Sequence, residues 1–171
     1  MTNHVLLDNV NHRDLRINQV FTPGAGFDVN VTRVFPSEFV ALQREYPLFF
    51  MKNSETGQFE AVALLGFEAG ENLFLGDPEW SGEYIPMTIQ RQPFLIGFQE
   101  QEVDGMPQQV PVVHVDMDHP SVSTTEGEPV FLAQGGEAPH LERMTAVLQA
   151  IHEGHEEVQV CLLYTSDAAD D

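Results

Sequence analysis

The chain has 171 residues, of which 27 are aspartate or glutamate and 7 are lysine or arginine, and its formal net charge is −20. Because nucleic acids and anionic membrane surfaces are bound by clustered cations, the scattered basic residues exclude both as partners. A hydrophobic content of 42% is typical of a globular domain, and no apolar run approaches the ~18 residues that a membrane-spanning helix needs.

The N-terminal part predicts short strands followed by a helix. Two apolar runs, Val5–Leu7 and Leu15–Val20, flank a polar turn and predict two strands. The alternating segment Val29–Val34 predicts a third strand. Residues Phe35–Tyr46 predict the first amphipathic helix, because apolar residues recur at helical spacing and Pro47 follows them.

The middle of the chain predicts a β-hairpin. Leu48–Lys52 and Phe59–Phe67 are apolar segments separated by the turn Asn53–Gly57. The stretch AVALLGF in the second segment lacks alternation, which indicates a central strand covered on both faces. Glu71–Leu75 predicts a further short strand, and Tyr84–Gln90 predicts a helical turn.

The C-terminal part predicts two more strands and a second helix. Pro93–Gln99 and Val110–Met117 are the strands, with a polar turn at Val103–Gln109. In Ala138–Glu153 the apolar residues recur at the spacing of an amphipathic helix. Together these elements predict an α+β fold with a mainly antiparallel mixed sheet and at least two amphipathic helices.

The final segment, Cys161–Asp171 (CLLYTSDAADD), fits the translation of a transposon-end adapter used to prepare sequencing libraries. We therefore expect residues 161–171 to be a non-native tail, as in a metagenomic fragment, and residues 1–160 to form a single domain that is truncated at its C-terminal end. The only cysteine lies in this tail, so the native residues offer no thiolate for catalysis or zinc binding. The N-terminus has no apolar signal core, so the cytoplasm is the default location, with association at the cell surface as the alternative.

One predicted strand carries a candidate metal site. His114 and Asp116 share a face of the strand because residues two apart point to the same side. A His-x-Asp pair with a distant histidine is the ligand set of non-haem iron oxygenases, and His140 is a candidate third ligand, as are His152 and His155. The alternative is a solvent-facing polar strand edge.

The segment HEGHEE at residues 152–157 gives a weaker metal pattern. Its histidines are three residues apart, whereas the zinc-protease motif places them four apart so that both reach one metal. Because Gly154 also weakens a helix, we expect a solvent-exposed helix end here.

A loop-rich segment carries a candidate ligand-binding site. Trp80 and Tyr84 lie among acidic residues and could stack on a sugar or a planar ligand, with the rim of a core as the alternative. Arg91 lies in apolar sequence, where an arginine either binds a ligand or pairs with a carboxylate or carbonyl of the fold.

The order and spacing of residues in the central part of the chain form a recognisable pattern. Its segments are Glu45-Tyr46-Pro47, Leu48–Phe50, Phe59–Gly66, Glu71–Phe74, Trp80, Tyr84-Ile85-Pro86 and Arg91–Leu95, with His12–Arg16, Gly127–Phe131 and Leu141–Leu148 on either side. This pattern resembles the SapC-like family of bacterial proteins over nearly all of residues 1–160.

The resemblance implies a link to paracrystalline bacterial surface layers, from which the family takes its name. Members are often labelled as components of peptide or multidrug transporters, but the lack of a membrane span argues against a permease. The family's genes often lie near those for outer-membrane TonB-dependent receptors and tryptophan-halogenase-like flavoproteins, which implies a role linked to nutrient uptake. Family members also continue beyond the helix at 141–153, and the family offers no established catalytic residues.

Three hypotheses about function follow. The first is a non-enzymatic SapC-like protein without a cofactor that acts through association with a protein partner or the cell surface. The second is a non-haem iron enzyme, or an accessory of one, that uses His114 and Asp116. The third is a small-molecule binding module built around Trp80, Tyr84 and Arg91. An exposed apolar patch would favour the first of these.

Overall fold

A computed structural model describes residues 3–76, 78–103 and 106–167 of the chain. The strands in this part are β1 (His4–Leu6), β2 (Arg16–Ile17), β3 (Val31–Arg33), β4 (Leu48–Lys52), β5 (Phe59–Leu64), β6 (Phe94–Val103), β7 (Met106–Asp116), β8 (Val122–Ser123) and β9 (Glu128–Pro129). The helices are α1 (Phe39–Leu42), which follows a 3-10 turn at Pro36–Glu38, α2 (Met87–Gln90) and α3 (Pro139–Asp167).

The chain divides into two compact units. The first unit combines the residues up to Gln19 with Arg91–Leu148, and the second combines Val20–Gln90 with the chain from Gln149 onwards. Helix α3 contributes its first turns to the first unit and the remainder to the second. The expectation of a single domain over residues 1–160 stays a prediction.

The first unit contains two antiparallel sheets, with the strand orders β1-β7-β6 and β8-β2-β9. Strands β6 and β7 form a long hairpin in which Phe94 is opposite Val115. The pairing continues to Val103 and Met106, so the polar turn predicted at Val103–Gln109 is wrong for most of its length, and residues 104 and 105 lie outside the described part. The buried apolar core of the unit consists of Leu15, Ile17, Phe94, Val115, Val130, Leu141, Met144 and Leu148.

The second unit contains the third antiparallel sheet, in the order β3-β5-β4. The predicted hairpin is confirmed, since β4 and β5 pair from Leu48 opposite Ala63 to Lys52 opposite Phe59. Strand β5 is central, as its unbroken apolar sequence predicts. The segment Glu71–Leu75 is a turn region and not a strand. The buried core of the unit consists of Phe21, Phe27, Val34, Leu42, Tyr46, Ala61, Ala63, Leu65, Trp80 and Ile89.

The predicted α+β class and antiparallel pairing are confirmed, but two details are wrong. Three small sheets replace one mixed sheet. Only one long helix, α3, is present in the described residues, because the predicted helix Phe35–Tyr46 is reduced to a 3-10 turn and the four residues of α1. The chain leaves the helix after Leu42 and reaches β4 six residues later, while Tyr46 is buried in the core.

Helix α3 is longer than the predicted Ala138–Glu153 and runs to Asp167. Its buried residues Leu141, Met144 and Leu148 confirm the amphipathic stripe. The predicted tail at 161–171 lies outside the residues whose side chains the structure describes. In the described part of the chain, every helix is too short or too polar to cross a membrane.

Candidate functional site

Trp80 belongs to the core of the second unit. Its side chain is only 8% exposed, and its ring stacks on Phe74 at a centroid distance of 5.7 Å and meets Phe21 edge-on at 5.5 Å. The indole N–H donates to the hydroxyl of Tyr46 over 2.7 Å. Because its ring and its one polar group have partners within the fold, Trp80 has the environment of a core residue.

Tyr84 lies at the other end of the same polar network. The Tyr46 hydroxyl donates to the backbone carbonyl of Tyr84 over 2.5 Å, and the Tyr84 hydroxyl is hydrogen-bonded to the carboxyl group of Glu38. Burial is the main cause that raises the pKa of each tyrosine to about 12. Both phenols are therefore protonated at neutral pH and act as hydrogen-bond groups rather than as bases.

Glu38 is a buried carboxylate that sequence reasoning missed. Its Oε1 accepts from the backbone N–H of Phe35 over 3.1 Å, and its Oε2 accepts from the N–H of Met87 over 3.0 Å. It therefore caps the 3-10 turn and also the start of α2. Burial raises its pKa, against the opposing effect of these hydrogen bonds. The sequence signal was a glutamate three residues after Phe35, the spacing of a capping box.

Arg91 lies in the first unit, whereas Trp80 and Tyr84 lie in the second. It is half-buried and donates from Nη1 to the carbonyl of Phe94 over 2.7 Å. This bond is the carbonyl-capping role that the sequence offered as the alternative to ligand binding.

His114 lies on β7 opposite Leu95, with its imidazole against Gly97. A Cβ atom at residue 97 would lie 2.3 Å from the His114 ring, so glycine makes room for the imidazole. The Nδ1 atom of His114 is buried and has no hydrogen-bond partner within the described residues.

Asp116 is the last residue of the same strand. Its Oδ1 accepts from the backbone N–H groups of Asn3 and Asp118, over 3.0 and 3.1 Å, and its Oδ2 lies 3.8 Å from Nε2 of His4. These bonds fix the chain as it turns after β7, so the carboxylate has a structural role there.

His140 is buried at the start of α3, beside Glu128 and Arg143. Glu128 Oε2 lies 2.7 Å from Nη2 of Arg143 and 3.7 Å from Nδ1 of His140. Burial lowers the pKa of His140, and the Arg143 hydrogen bond lowers the pKa of Glu128. The three side chains form an ion cluster that contains a neutral imidazole at pH 7.

The structure does not bring the proposed iron ligands together. In the part of the chain that it describes, no group of three or more His, Cys, Asp or Glu side chains is arranged to hold a metal ion. His114, Asp116 and His140 therefore do not form such a group, and the iron hypothesis gains no geometric support.

The segment 152–157 is not the helix end that the sequence predicts, because α3 continues through it. The predicted solvent exposure holds for Glu153, His155 and Glu157. Gly154 is buried, and a Cβ atom there would lie 2.8 Å from Cβ of Phe35. His155 Nε2 lies 2.8 Å from Nη1 of Arg33, which also pairs with Glu60 over 3.0 Å. Burial lowers the pKa of His155, so the neutral ring accepts from the guanidinium. Gly154 therefore allows α3 to pack closely against Phe35.

Four large apolar side chains of the β4–β5 hairpin are exposed, a feature that sequence reasoning missed. Phe49, Phe50, Met51 and Phe59 are exposed by 54%, 59%, 49% and 47%; we call these four residues the hairpin surface. The sequence signal was the uncharged run Leu48–Met51. The predicted hairpin pairs this strand with a single neighbouring strand.

Described residues of the first unit also line surface grooves of about 470 and 490 Å³. The smaller one contains Arg13 and Arg16 beside Leu15, Phe131 and Leu132; we call it the arginine groove. The larger one lies between β1, β7 and the start of α3, with apolar lining residues that include Leu6 and Leu141. Both volumes fall within the ~300–1,000 Å³ range of ligand sites.

A sequence model of the SapC family matches residues 7–164. This range covers most of the chain and ends within the segment 161–171. No curated protein and no solved structure matches the chain. The family predicted from the pattern around Tyr46, Trp80 and Tyr84 is thereby confirmed, and the chain belongs to the SapC family.

Proposed function

We propose that this SapC-family chain is a non-enzymatic protein that acts by binding a protein partner at the hairpin surface. The observation that carries the proposal is the exposure of Phe49, Phe50, Met51 and Phe59 on one hairpin. Groups of exposed large apolar side chains mark interaction sites, whereas single ones are ordinary. Here one pair lies on each face of the sheet at its β4 edge.

The backbone of β4 supports the same proposal. In the described residues, β4 pairs with β5 alone, so its other edge presents backbone N–H and C=O groups. Native edge strands are usually protected by charged side chains, proline or a bulge, but β4 has only Lys52 at its end. An extended segment of a partner could add to this edge and cover the apolar side chains, as in β-strand addition.

The register divides the hairpin surface between the two faces of the sheet. Phe50 is opposite Ala61 and Lys52 is opposite Phe59, so Phe50 and Phe59 share one face. Phe49 is opposite Val62 and Met51 is opposite Glu60, on the other face. A partner strand at this edge would contact side chains of β4 on both faces.

The finer part of the proposal places the partner at the bacterial cell envelope. It rests on the resemblance to proteins linked to surface layers and to outer-membrane nutrient uptake. The iron enzyme and the binding module at Trp80, Tyr84 and Arg91 have weaker support. No metal-binding group is found among the described residues, Trp80 is enclosed in a core, and Arg91 donates to the carbonyl of Phe94.

The test is site-specific photocrosslinking in bacteria that make SapC-family proteins. A benzophenone amino acid replaces Phe50 in one variant and Phe67, which is 81% exposed and outside the hairpin, in the control. We expect one dominant crosslinked protein from position 50 and none from position 67. Equal labelling at both positions, or none at either, contradicts the proposal. Mass spectrometry then identifies the crosslinked partner. A cytosolic partner would contradict the envelope location but not the binding of a partner at the hairpin surface.

A further inference from the structure

The arginine groove of the first unit has the chemistry of a small ligand site. It has a volume of about 470 Å³, and its lining combines two guanidinium groups, the hydroxyl residue Thr124 and the apolar residues Leu15, Phe131 and Leu132. This combination would contact both a charged end and an apolar body of one molecule.

The arginines of the chain differ in whether their guanidinium groups are paired with a carboxylate. Arg33 and Arg143 form ion pairs with Glu60 and Glu128. Within the described residues, the guanidinium group of Arg13 has neither an ion pair nor a hydrogen bond. A chain with 27 acidic residues thus leaves the exposed Arg13 without an ion pair among the described residues.

The fold fixes the side chain of Arg16 and the backbone turn that carries Arg13. Arg16 lies on β2 between β8 and β9, and its Nη1 donates to the carbonyl of Gly127 over 2.8 Å. Arg13 lies in a turn whose start is fixed by Asp8, because the Asp8 Oδ1 accepts from the N–H groups of Val10 and Asn11. The single bond to Gly127 leaves Arg16 with other N–H donors for a ligand.

We propose that the arginine groove binds a small organic carboxylate with an apolar body, through Arg13 and Arg16 at its charged end. A guanidinium group matches the planar, two-oxygen geometry of a carboxylate. Leu15, Phe131 and Leu132 supply the apolar contact. Asp14 is the one acidic residue among the described lining residues, and it opposes anion binding. This site is independent of the proposed association at the hairpin surface.

An NMR titration of the isotopically labelled chain tests the proposal. The probes are hexanoate, its neutral analogue hexanamide, inorganic phosphate and the peptide acetyl-leucyl-leucine with a free carboxylate. We expect hexanoate to shift the amide signals of Thr124, Leu132 and Ala133, and hexanamide and phosphate to bind at least ten times more weakly. If the peptide binds more tightly than hexanoate, the preferred ligand is the C-terminal carboxylate of a peptide. If hexanoate binds more tightly, the preferred ligand is a free organic acid.

Two variants and a matched control complete the test. We expect Arg13→Gln to weaken hexanoate binding about 10-fold or more, since a charged hydrogen bond contributes ~1.5–3 kcal/mol, and Asp14→Asn to strengthen it. Arg44→Gln removes an exposed arginine of the second unit and serves as the control. Equal binding of hexanoate and hexanamide, an unchanged affinity in Arg13→Gln, or an equal loss in Arg44→Gln overturns the proposal.

Discussion

Glu38 is the residue whose environment departs most from that of its type. It is 2% exposed, yet it links two helical turns by accepting from the backbone N–H groups of Phe35 and Met87. The Tyr84 hydroxyl adds a third bond, which connects the carboxyl group to Tyr46 and Trp80. A buried carboxyl group of this kind is retained because its oxygen atoms satisfy donors that would otherwise be unpaired.

Replacing Glu38 tests this role at the residue scale. In Glu38→Gln one backbone donor loses its acceptor, so we expect a loss of about 1–3 kcal/mol in the free energy of unfolding. Because the folded-state pKa is raised, the native state binds more protons than the unfolded state, and the stability that Glu38 contributes falls as the pH rises through that pKa.

Urea unfolding from about pH 5 to about pH 8 measures both effects. The difference in free energy of unfolding between the wild type and Glu38→Gln should become smaller as the pH rises, because glutamine does not titrate. The control is Glu55→Gln, in an exposed turn, with an expected change below ~0.5 kcal/mol. If this difference instead increases with pH, the ionised carboxylate is the form that the folded state favours, which contradicts the prediction.

Helix α3 is the element on which the core of the first unit depends most. Leu141, Met144 and Leu148 lie on one face and pack with Phe94 and Val115 of the β6–β7 hairpin. Spacings of three and four residues place these side chains in one stripe. Further along, Gly154 lets the helix approach Phe35 closely in the second unit.

A pair of substitutions on α3 separates packing from helix propensity. Leu148→Ala removes a side chain that is 2% exposed, and we expect it to cost about 2–5 kcal/mol. Thr145→Ala, on the exposed side of the same helix, should change the stability by less than ~0.5 kcal/mol. Chemical denaturation followed by circular dichroism measures both changes. Similar values for the two variants would show that the stripe is not the packed face.

The net charge of −20 acts at the scale of the whole molecule. Like charges repel one another in any compact state, and salt screens this repulsion. The Debye length is ~30 Å at 0.01 M salt and ~8 Å at 0.15 M, so long-range repulsion is felt mainly at low ionic strength.

Stability should therefore rise with salt. Between about 10 and 150 mM NaCl we expect a gain on the order of 1 kcal/mol, or roughly 2–4 °C in Tm, measured by thermal unfolding. A variant in which exposed Glu79, Glu102 and Glu157 become glutamine should gain less from salt. A Tm that is independent of salt, or an equal gain in the variant, would show that repulsion between these charges is negligible.

Features that depend on neighbouring residues could be predicted from the amino-acid sequence. The turn Asn53–Gly57 between two apolar runs predicted the β4–β5 hairpin, and the apolar spacing from Leu141 to Leu148 predicted the packed face of α3. Composition set the charge, and the order of short motifs around Tyr46 and Trp80 predicted the family. These signals are local because turn geometry and side-chain periodicity act over a few residues.

Which distant groups meet depends on the packed fold and could not be predicted from local sequence. The helix predicted at Phe35–Tyr46 ends at Leu42. Tyr46 instead bonds to Trp80 and to the carbonyl of Tyr84, residues 34 and 38 positions further along the chain. Likewise His114 and Asp116 share a strand, but Oδ1 of Asp116 accepts from the backbone N–H groups of Asn3 and Asp118, which the sequence pattern did not indicate. The physical reason is that a buried polar group takes whichever partner the packed fold places within reach, and that choice is non-local.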